Sequence, residues 1–240
     1  LESTDDRSWG LEIQAGSTAA DLPLSIETHD SGTNLFQVAG SGQVRFVDGT
    51  ASLPAISNIG DLDTGIFFPA ADTIAFAEGG EEAARFDSSG RLLIGNTANV
   101  AVAGHNAALQ VVGQGTADYH GATVNIVGFS DNSNGAYLNF GSGRSNTAGT
   151  YTSVANNDTL GLLLFAGADG TNLSSYGASI GAFVDGAPGS TDMPGRLAFA
   201  TTADGASSPT NRMTIDSSGN IIIASTGGTL YTDTAGADNF

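Results

Sequence analysis

The sequence lacks cysteine and lysine, and its charge is mostly of one sign. Without cysteine there can be no disulfide, thiolate metal site or thiol nucleophile. The chain has 25 acidic and 7 basic residues, which gives a net charge of −18. The basic residues are all arginines and are scattered along the chain: Arg7, Arg45, Arg85, Arg91, Arg144, Arg196 and Arg212. Binding to phosphate groups requires clustered basic side chains, so we expect no nucleic-acid partner.

Long apolar runs are also absent. No stretch approaches the roughly 18 apolar residues that a membrane-spanning helix requires, so we expect no membrane insertion. The chain begins at Leu1 without a basic and apolar leader, and we expect it to be a fragment or a processed product. Charged residues make up only 13% of the sequence, so small polar residues and glycine must cover much of the surface. Hydrophobic residues at 40% still allow a packed core.

Short apolar segments bounded by Gly, Asp, Asn and Ser recur along the chain, whereas helical periodicity is hard to find. This pattern predicts an all-β fold. The predicted strands are Trp9–Gln14, Leu22–Thr28, Leu35–Val38, Val44–Val47, Thr73–Ala77, Arg91–Ile94, Thr123–Val127, Ala136–Phe140, Gly161–Phe165, Ala178–Val184, Arg196–Ala200 and Ile221–Ile223. Turn dipeptides that supply positive φ lie between them: Asp48-Gly49, Asn134-Gly135, Asp169-Gly170, Asp185-Gly186 and Asp204-Gly205.

An internal repeat is the most informative pattern. Phe86–Ile94 and Ile215–Ile223 share an Asp-Ser-Ser-Gly core followed by apolar residues, and Val38–Phe46 is a looser copy. Val111–Gly115 is a candidate fourth copy. The core predicts a tight hairpin in which Asp caps the turn and Gly takes the left-handed conformation. The copies lie at unequal distances along the chain, which excludes a uniform solenoid.

Two strands of the repeat are apolar at every position. Leu92–Ile94 and Ile221–Ile223 present apolar side chains to both faces of their sheets, so both faces require burial. A slender β-module cannot cover both faces alone, which favours an obligate oligomer. The alternative is a conventional sandwich that buries these strands centrally.

Longer motifs carry a resemblance to a known family. The first block comprises Ile59–Phe67, Asp72–Phe76, Gly79-Gly80 and Ala84–Gly90. The second comprises Asp158–Gly161, Phe165–Thr171, Asp192–Leu197, Thr201–Gly205 and Arg212–Asp216. These blocks resemble modules of tail-fibre proteins of tailed bacteriophages, and the second block resembles those of phages of marine and cyanobacterial hosts in particular. Together they span residues 54 to 226.

The resemblance implies an elongated, homotrimeric virion appendage that contacts the host cell. Its implied partners are other virion proteins and a glycan or protein receptor on the host surface. Its implied location is the virion tail, and it is extracellular after release. We predict a shaft-like β segment over 1–52 and a small β module over 53–105. A β-sandwich-like module, closed by the second Asp-Ser-Ser-Gly hairpin, is predicted over 106–240.

Catalytic motifs are missing from the sequence. There is no nucleophile elbow, phosphate loop or zinc helix, and the histidines, His29, His105 and His120, are far apart. Paired acids could hydrolyse glycans, but turn chemistry explains each candidate set: Asp61 with Asp63, Glu78 with Glu81 and Glu82, and Asp185 with Asp192. We therefore predict a non-enzymatic protein without cofactor or metal. A glycan depolymerase tailspike, a head-decoration or neck appendage, and a secreted bacterial adhesin remain as alternatives.

Aromatic side chains are the candidate recognition elements, because sugar faces stack on flat rings. Long polar loops on a β scaffold are where binding surfaces usually lie. On this basis the predicted receptor-binding residues are Tyr119, His120, Tyr137, Tyr151 and Tyr176.

Overall fold

The computed structural model describes residues 18, 20–29, 33–113, 122–129, 131 and 135–224. These residues form β-strands, turns and irregular segments, and none of them is helical. The strands in the first half of the chain are β1 (Leu24–Glu27), β2 (Asn34–Val38), β3 (Val44–Phe46), β4 (Ile56–Asn58), β5 (Asp61–Phe67), β6 (Ile74–Glu78), β7 (Glu81–Phe86), β8 (Leu92–Ile94) and β9 (Leu109–Val111). The later strands are β10 (Thr159–Gly167), β11 (Ser175–Val184), β12 (Gly195–Thr201), β13 (Thr210–Ile215) and β14 (Ile221–Ile223).

The strands form three sheets in which neighbours in sequence are neighbours in space. The sheets contain β1 to β3, β4 to β9, and β10 to β14, each in chain order. Successive strands are antiparallel, except that β9 is parallel to β8. Antiparallel neighbours need only short turns between them, which fits a chain rich in Gly, Asp, Asn and Ser. The predicted all-β fold is confirmed.

The chain divides into two compact units. The first comprises 1–100 and 107–124, and the second comprises 101–106 and 125–240. The segment 101–106 joins the second unit through backbone contacts, because the Ala103 N–H donates to the Leu173 carbonyl over 2.7 Å. The Tyr176 hydroxyl donates to the Ala103 carbonyl over 2.9 Å.

Both Asp-Ser-Ser-Gly motifs join antiparallel strands through the same hydrogen bonds. Asp87 Oδ1 accepts from the backbone N–H groups of Ser89 and Arg91, both at 3.0 Å. Asp216 Oδ1 accepts from those of Ser218 and Asn220 at 2.9 and 2.8 Å. Gly90 and Gly219 have φ of 74° and 84°, where residues with a Cβ are strained.

The six-stranded sheet buries one of its faces. Phe67, Ala75 and Leu93 lie in one register row across the sheet, and Ala77 is on the same face. All four are almost fully buried, and Leu93 is only 1% exposed. The central residue of the Leu92–Ile94 strand is therefore shielded by its own chain.

Two predicted strands are not formed within the single chain. Thr123–Val127 and Ala136–Phe140 form no strand, because their backbone groups have no ladder partner among the described residues. The sequence analysis also missed β4, β5, β7, β9 and β13. Asp61 and Asp63 consequently lie within β5 rather than flanking a turn. The predicted strand Trp9–Gln14 lies outside the described residues, as does part of the candidate fourth copy.

Candidate functional site

The loop before β10 forms an open groove of about 500 Å³ in the second unit. We call residues 141–154 the groove loop. The groove is lined by Gly141, Ser142, Gly143, Ser145, Thr147, Ala148, Gly149, Thr150, Tyr151, Thr152, Ser153, Val154 and Met193. None of these side chains is charged, and the Tyr151 side chain is almost entirely in solvent, since the residue is 96% exposed. A flat ring beside small polar residues is suited to a neutral, hydroxyl-bearing ligand.

An ion pair fixes the base of the groove loop. Arg144 Nε and Nη2 donate to the two carboxylate oxygens of Asp158 over 2.6 and 2.8 Å. The Ala155 N–H also donates to Asp158 Oδ2, over 2.8 Å. The guanidinium group, and next the Ala155 N–H, lower the pKa of Asp158 to about 2. The carboxylate therefore stays ionised well into the acid range and holds both ends of the loop.

The tip of the groove loop is a tight turn with hydroxyl groups around it. The Thr150 N–H donates to the Thr147 carbonyl over 3.1 Å, and Gly149 between them has a φ of 82°. The Ser145 hydroxyl donates to the Thr147 carbonyl. Within the described residues the hydroxyls of Ser142, Thr150 and Thr152 form no hydrogen bond, so they are available to a ligand.

The five-stranded sheet has a face that is apolar from one edge to the other. Residues in one register row share a face. Two rows on this face consist of Leu163, Ile180, Phe199, Met213 and Ile223, and of Gly161, Ala182, Leu197, Ile215 and Ile221. No residue of either row is fully buried, and Ile221 and Ile223 are 66% and 49% exposed. We call these two rows the open face.

One segment of the chain covers part of the open face. Phe140 packs so closely over Gly161 that a Cβ added there would lie 2.7 Å from the Cβ of Phe140. Between 138–140 and the sheet runs a groove of about 410 Å³, which is lined by Leu138, Asn139, Phe140, Leu160, Gly161, Leu162, Leu163, Ile180, Ala182 and Leu197. The rest of the open face, towards β13 and β14, is not among the residues that line this groove.

The other two sheets also expose apolar rows. In the three-stranded sheet the rows are Leu24, Val38 and Val44, and Ile26, Phe36 and Phe46. In the six-stranded sheet, the face opposite Leu93 carries Ile56, Ile66, Phe76, Ala84, Ile94 and Val111, with Ile74, Phe86, Leu92 and Leu109 beside them. None of these residues is fully buried. In each sheet, therefore, one apolar face is left partly in water.

The structure separates the predicted receptor-binding residues. Tyr151 and Tyr137 are exposed, and Tyr151 lines the groove of the loop. Tyr176 lies half-buried on β11 and donates its hydroxyl to the Ala103 carbonyl. Tyr119 and His120 lie outside the described residues. The sequence analysis missed the role of Arg144, because its partner Asp158 is remote in sequence and no local motif joins them.

The acidic pairs take part in local structure. The hydrogen bond between the Asp61 and Asp63 carboxyl groups raises the pKa of Asp63 and lowers that of Asp61. Glu82 binds Arg85 through two hydrogen bonds of 2.5 and 2.6 Å. Asp185 Oδ2 accepts from the Ser217 N–H over 2.9 Å, which is the main reason that its pKa is lowered.

Within the described ranges no three His, Asp or Glu side chains are grouped so that they could hold a metal ion. The described part of the chain also has no helix long and apolar enough to cross a membrane.

Comparisons with known proteins gave matches only among solved structures. No family model and no curated protein matches the chain. The chain is similar to the carboxy-terminal domain of the bacteriophage T5 L-shaped tail fibre, with 13% identity, a TM-score of 0.43, and coverage of 100% of this chain and 98% of that chain. It is also similar to that domain with its intra-molecular chaperone domain, with 14% identity, a TM-score of 0.47, and coverage of 100% and 67%. Both are structures of a phage tail fibre.

Proposed function

We propose that this chain is a structural part of a tailed-phage tail fibre, works as a homotrimer and contributes to attachment to the host surface. It is a non-enzymatic virion component that contacts other virion proteins and a glycan or protein receptor, and it is extracellular after release. The motif blocks within residues 54 to 226 support the family. The open apolar faces of the three sheets support the assembly.

The observation that carries the proposal is the exposure of Ile221–Ile223 and of the rows beside them. Removing apolar surface from water stabilises a protein by about 25 cal/mol per Å². Monomeric proteins rarely expose large contiguous apolar patches, and such patches mark interaction surfaces. Here the pattern recurs in every sheet of the described chain, which favours partners that cover a face of each of the three sheets. Identical copies meet that requirement.

The charge distribution is compatible with contacts between identical copies. Each chain carries a net charge of −18, so copies repel one another at a distance. The open face contains no charged side chain in its two rows, so contact there brings no like charges together.

The mass of the native assembly tests the assembly directly. We expect a trimer, and a stable monomer would overturn the proposal. In Ile223→Asp a carboxylate stands on the open face, where burial of a charge is costly, so we expect a smaller assembled fraction. Ser207→Asp adds the same charge in an exposed turn and serves as the control. Equal assembly of both variants would place the contact elsewhere.

The attachment role is assigned to the groove loop and its exposed ring. In virions that carry Tyr151→Ala, we expect adsorption to host cells to fall by at least about fivefold, because the stacking surface is lost. Tyr151→Phe retains the ring and should adsorb nearly as well as the wild type. Unchanged adsorption of Tyr151→Ala would show that this residue does not contribute to receptor binding.

Two further measurements separate the proposal from its alternatives. Incubation with purified host envelope polysaccharide should release no oligosaccharide, and release would indicate a depolymerase. Immunogold microscopy of virions should mark the tail fibres. Labelling of the head or the neck would indicate an appendage without a receptor role.

A further inference from the structure

The two segments that form no strand within the single chain nevertheless have strand-like sequences. In Ala136–Phe140, Ala136, Leu138 and Phe140 alternate with Tyr137 and Asn139, which is the pattern of a strand with one apolar side. Leu138, Asn139 and Phe140 line the groove over the five-stranded sheet, and Phe140 packs against Gly161 of the open face. Thr123–Val127 is rich in β-branched residues, which favour strands.

The backbone of both segments is unpaired. Residues 122–129 and 135–143 form no hydrogen bond within the described chain, through either the backbone or the side chains. Every residue of both stretches is exposed, and Phe129 is 97% exposed. The two stretches approach each other, because a Cβ added at Gly128 would lie 3.1 Å from the backbone nitrogen of Ala136. They nevertheless form no ladder, so their strand edges are open on a single chain.

We propose that residues 122–129 and 135–143 are strands whose ladders are completed by other copies of this chain. The segment 136–140 then begins a second β-layer over the open face, and neighbouring copies supply the strands that continue this layer towards β13 and β14. An extended segment with free N–H and carbonyl groups and a strand-like pattern is a template for such addition. This inference rests on the proposed homotrimer and identifies the segments that join its copies.

The charge of the chain points to a second copy rather than an unrelated partner. Neither stretch contains a charged residue, although the whole chain carries −18. Two copies can therefore pair here without bringing carboxylates together. The apolar side chains of the incoming strand meet the still uncovered part of the open face. A single contact between copies therefore pairs the free N–H and carbonyl groups and also buries the apolar rows.

Amide hydrogen exchange on the native full-length chain tests the pairing without mutation. We expect the amides of 123–127 and 136–140 to exchange at least about tenfold more slowly than the amides of Asn146, Ala148 and Gly149, because paired amides exchange only after local opening. In an assembled protein, equally fast exchange in both regions would overturn the inference and leave the homotrimer intact. A monomer would overturn both.

Proline substitution provides the second measurement. Asn139→Pro removes an N–H that forms no hydrogen bond in the single chain but belongs to the ladder in the proposed assembly. We expect at least about a tenfold loss in assembly affinity, with the circular dichroism spectrum of the dilute chain unchanged. Ala148→Pro is the matched control, because it occupies the second position of the turn from Thr147 to Thr150, where proline is favoured. Equal assembly of the two variants would contradict the proposed pairing.

Discussion

Single residues determine the geometry of the repeated turns. Asp87 caps its turn through Oδ1 and binds the Arg91 side chain through Oδ2, over 2.7 Å. In the looser copy Ala39 replaces the aspartate, and the backbone bonds of the turn remain, because the Ala39 N–H still donates to the Gln43 carbonyl over 2.9 Å. The backbone can thus form the turn without the carboxylate, which adds hydrogen bonds to the Ser89 and Arg91 N–H groups and to the Arg91 side chain.

The two functions of the Asp87 carboxylate can be separated by substitution. Asp87→Asn retains an oxygen for the N–H groups of Ser89 and Arg91, whereas Asp87→Ala removes every side-chain acceptor. We expect Asp87→Ala to lower the melting temperature by roughly 2–4 °C and Asp87→Asn to lower it less. Differential scanning calorimetry measures both. Equal losses would show that the arginine contact, rather than the cap, stabilises the turn.

The Arg144–Asp158 pair should stabilise the groove loop at neutral pH and lose this effect in acid. The pKa of Asp158 is lowered to about 2 in the folded chain, against about 4 when unfolded. A lowered pKa contributes stability that is complete above the unfolded value and is lost as the pH falls through the folded value. The loss should therefore occur between about pH 4 and pH 2.

The variant Arg144→Gln tests this pH dependence of stability. It removes the main cause of the lowered pKa, so the variant should melt below the wild type at pH 6. The difference should shrink as the pH falls and be small near pH 2, where about half of the wild-type Asp158 is protonated. Melting curves recorded at several pH values check this. A difference that is constant down to pH 2 would show that Arg144 acts through packing alone.

At the level of strands, the Leu92–Ile94 strand differs from the Ile221–Ile223 strand in how its own chain covers it. Leu93 is shielded by the six-stranded sheet, whereas the three isoleucines are all exposed. Both sequences are apolar at every position, so the sequence alone could not distinguish these outcomes. The two strands also differ in position, since β8 lies between β7 and β9, whereas β14 is the edge strand of its sheet.

Truncation of Leu93 should therefore be costly within one chain. Leu93→Ala leaves a cavity in the buried face, and we expect a loss of about 2–5 kcal/mol in the free energy of unfolding. Leu53→Ala, at a site that is 67% exposed, should change it by less than about 0.5 kcal/mol. Guanidinium denaturation measures both variants. A small effect at Leu93 would mean that the six-stranded sheet is not packed as described.

For the whole molecule, the net charge and the apolar faces act in opposite directions on assembly. The charge of −18 drives copies apart, and salt screens this repulsion over about 10 Å at 0.1 M ionic strength. The apolar contacts of the proposed trimer are not weakened by such screening. The balance makes the salt dependence of assembly a diagnostic of which contacts hold the copies together.

We expect the assembled fraction of the dilute protein to rise as sodium chloride increases from about 10 to 150 mM. Sedimentation velocity at several protein concentrations measures this fraction. Association that weakens with salt would indicate that interchain ion pairs formed by the arginines, instead of the open face, hold the copies together.

The sequence by itself determined the all-β class, the turns at Gly90 and Gly219, and the wholly apolar composition of Ile221–Ile223. These features depend on residues close together in the chain, where turn chemistry and alternation act locally. Only the tertiary structure decided that Arg144 holds Asp158, that Leu93 is buried, and that Ala136–Phe140 lies unpaired beside the open face. Each of these depends on which distant segments meet, because a strand is defined by its hydrogen-bonding partner as well as by its own side chains.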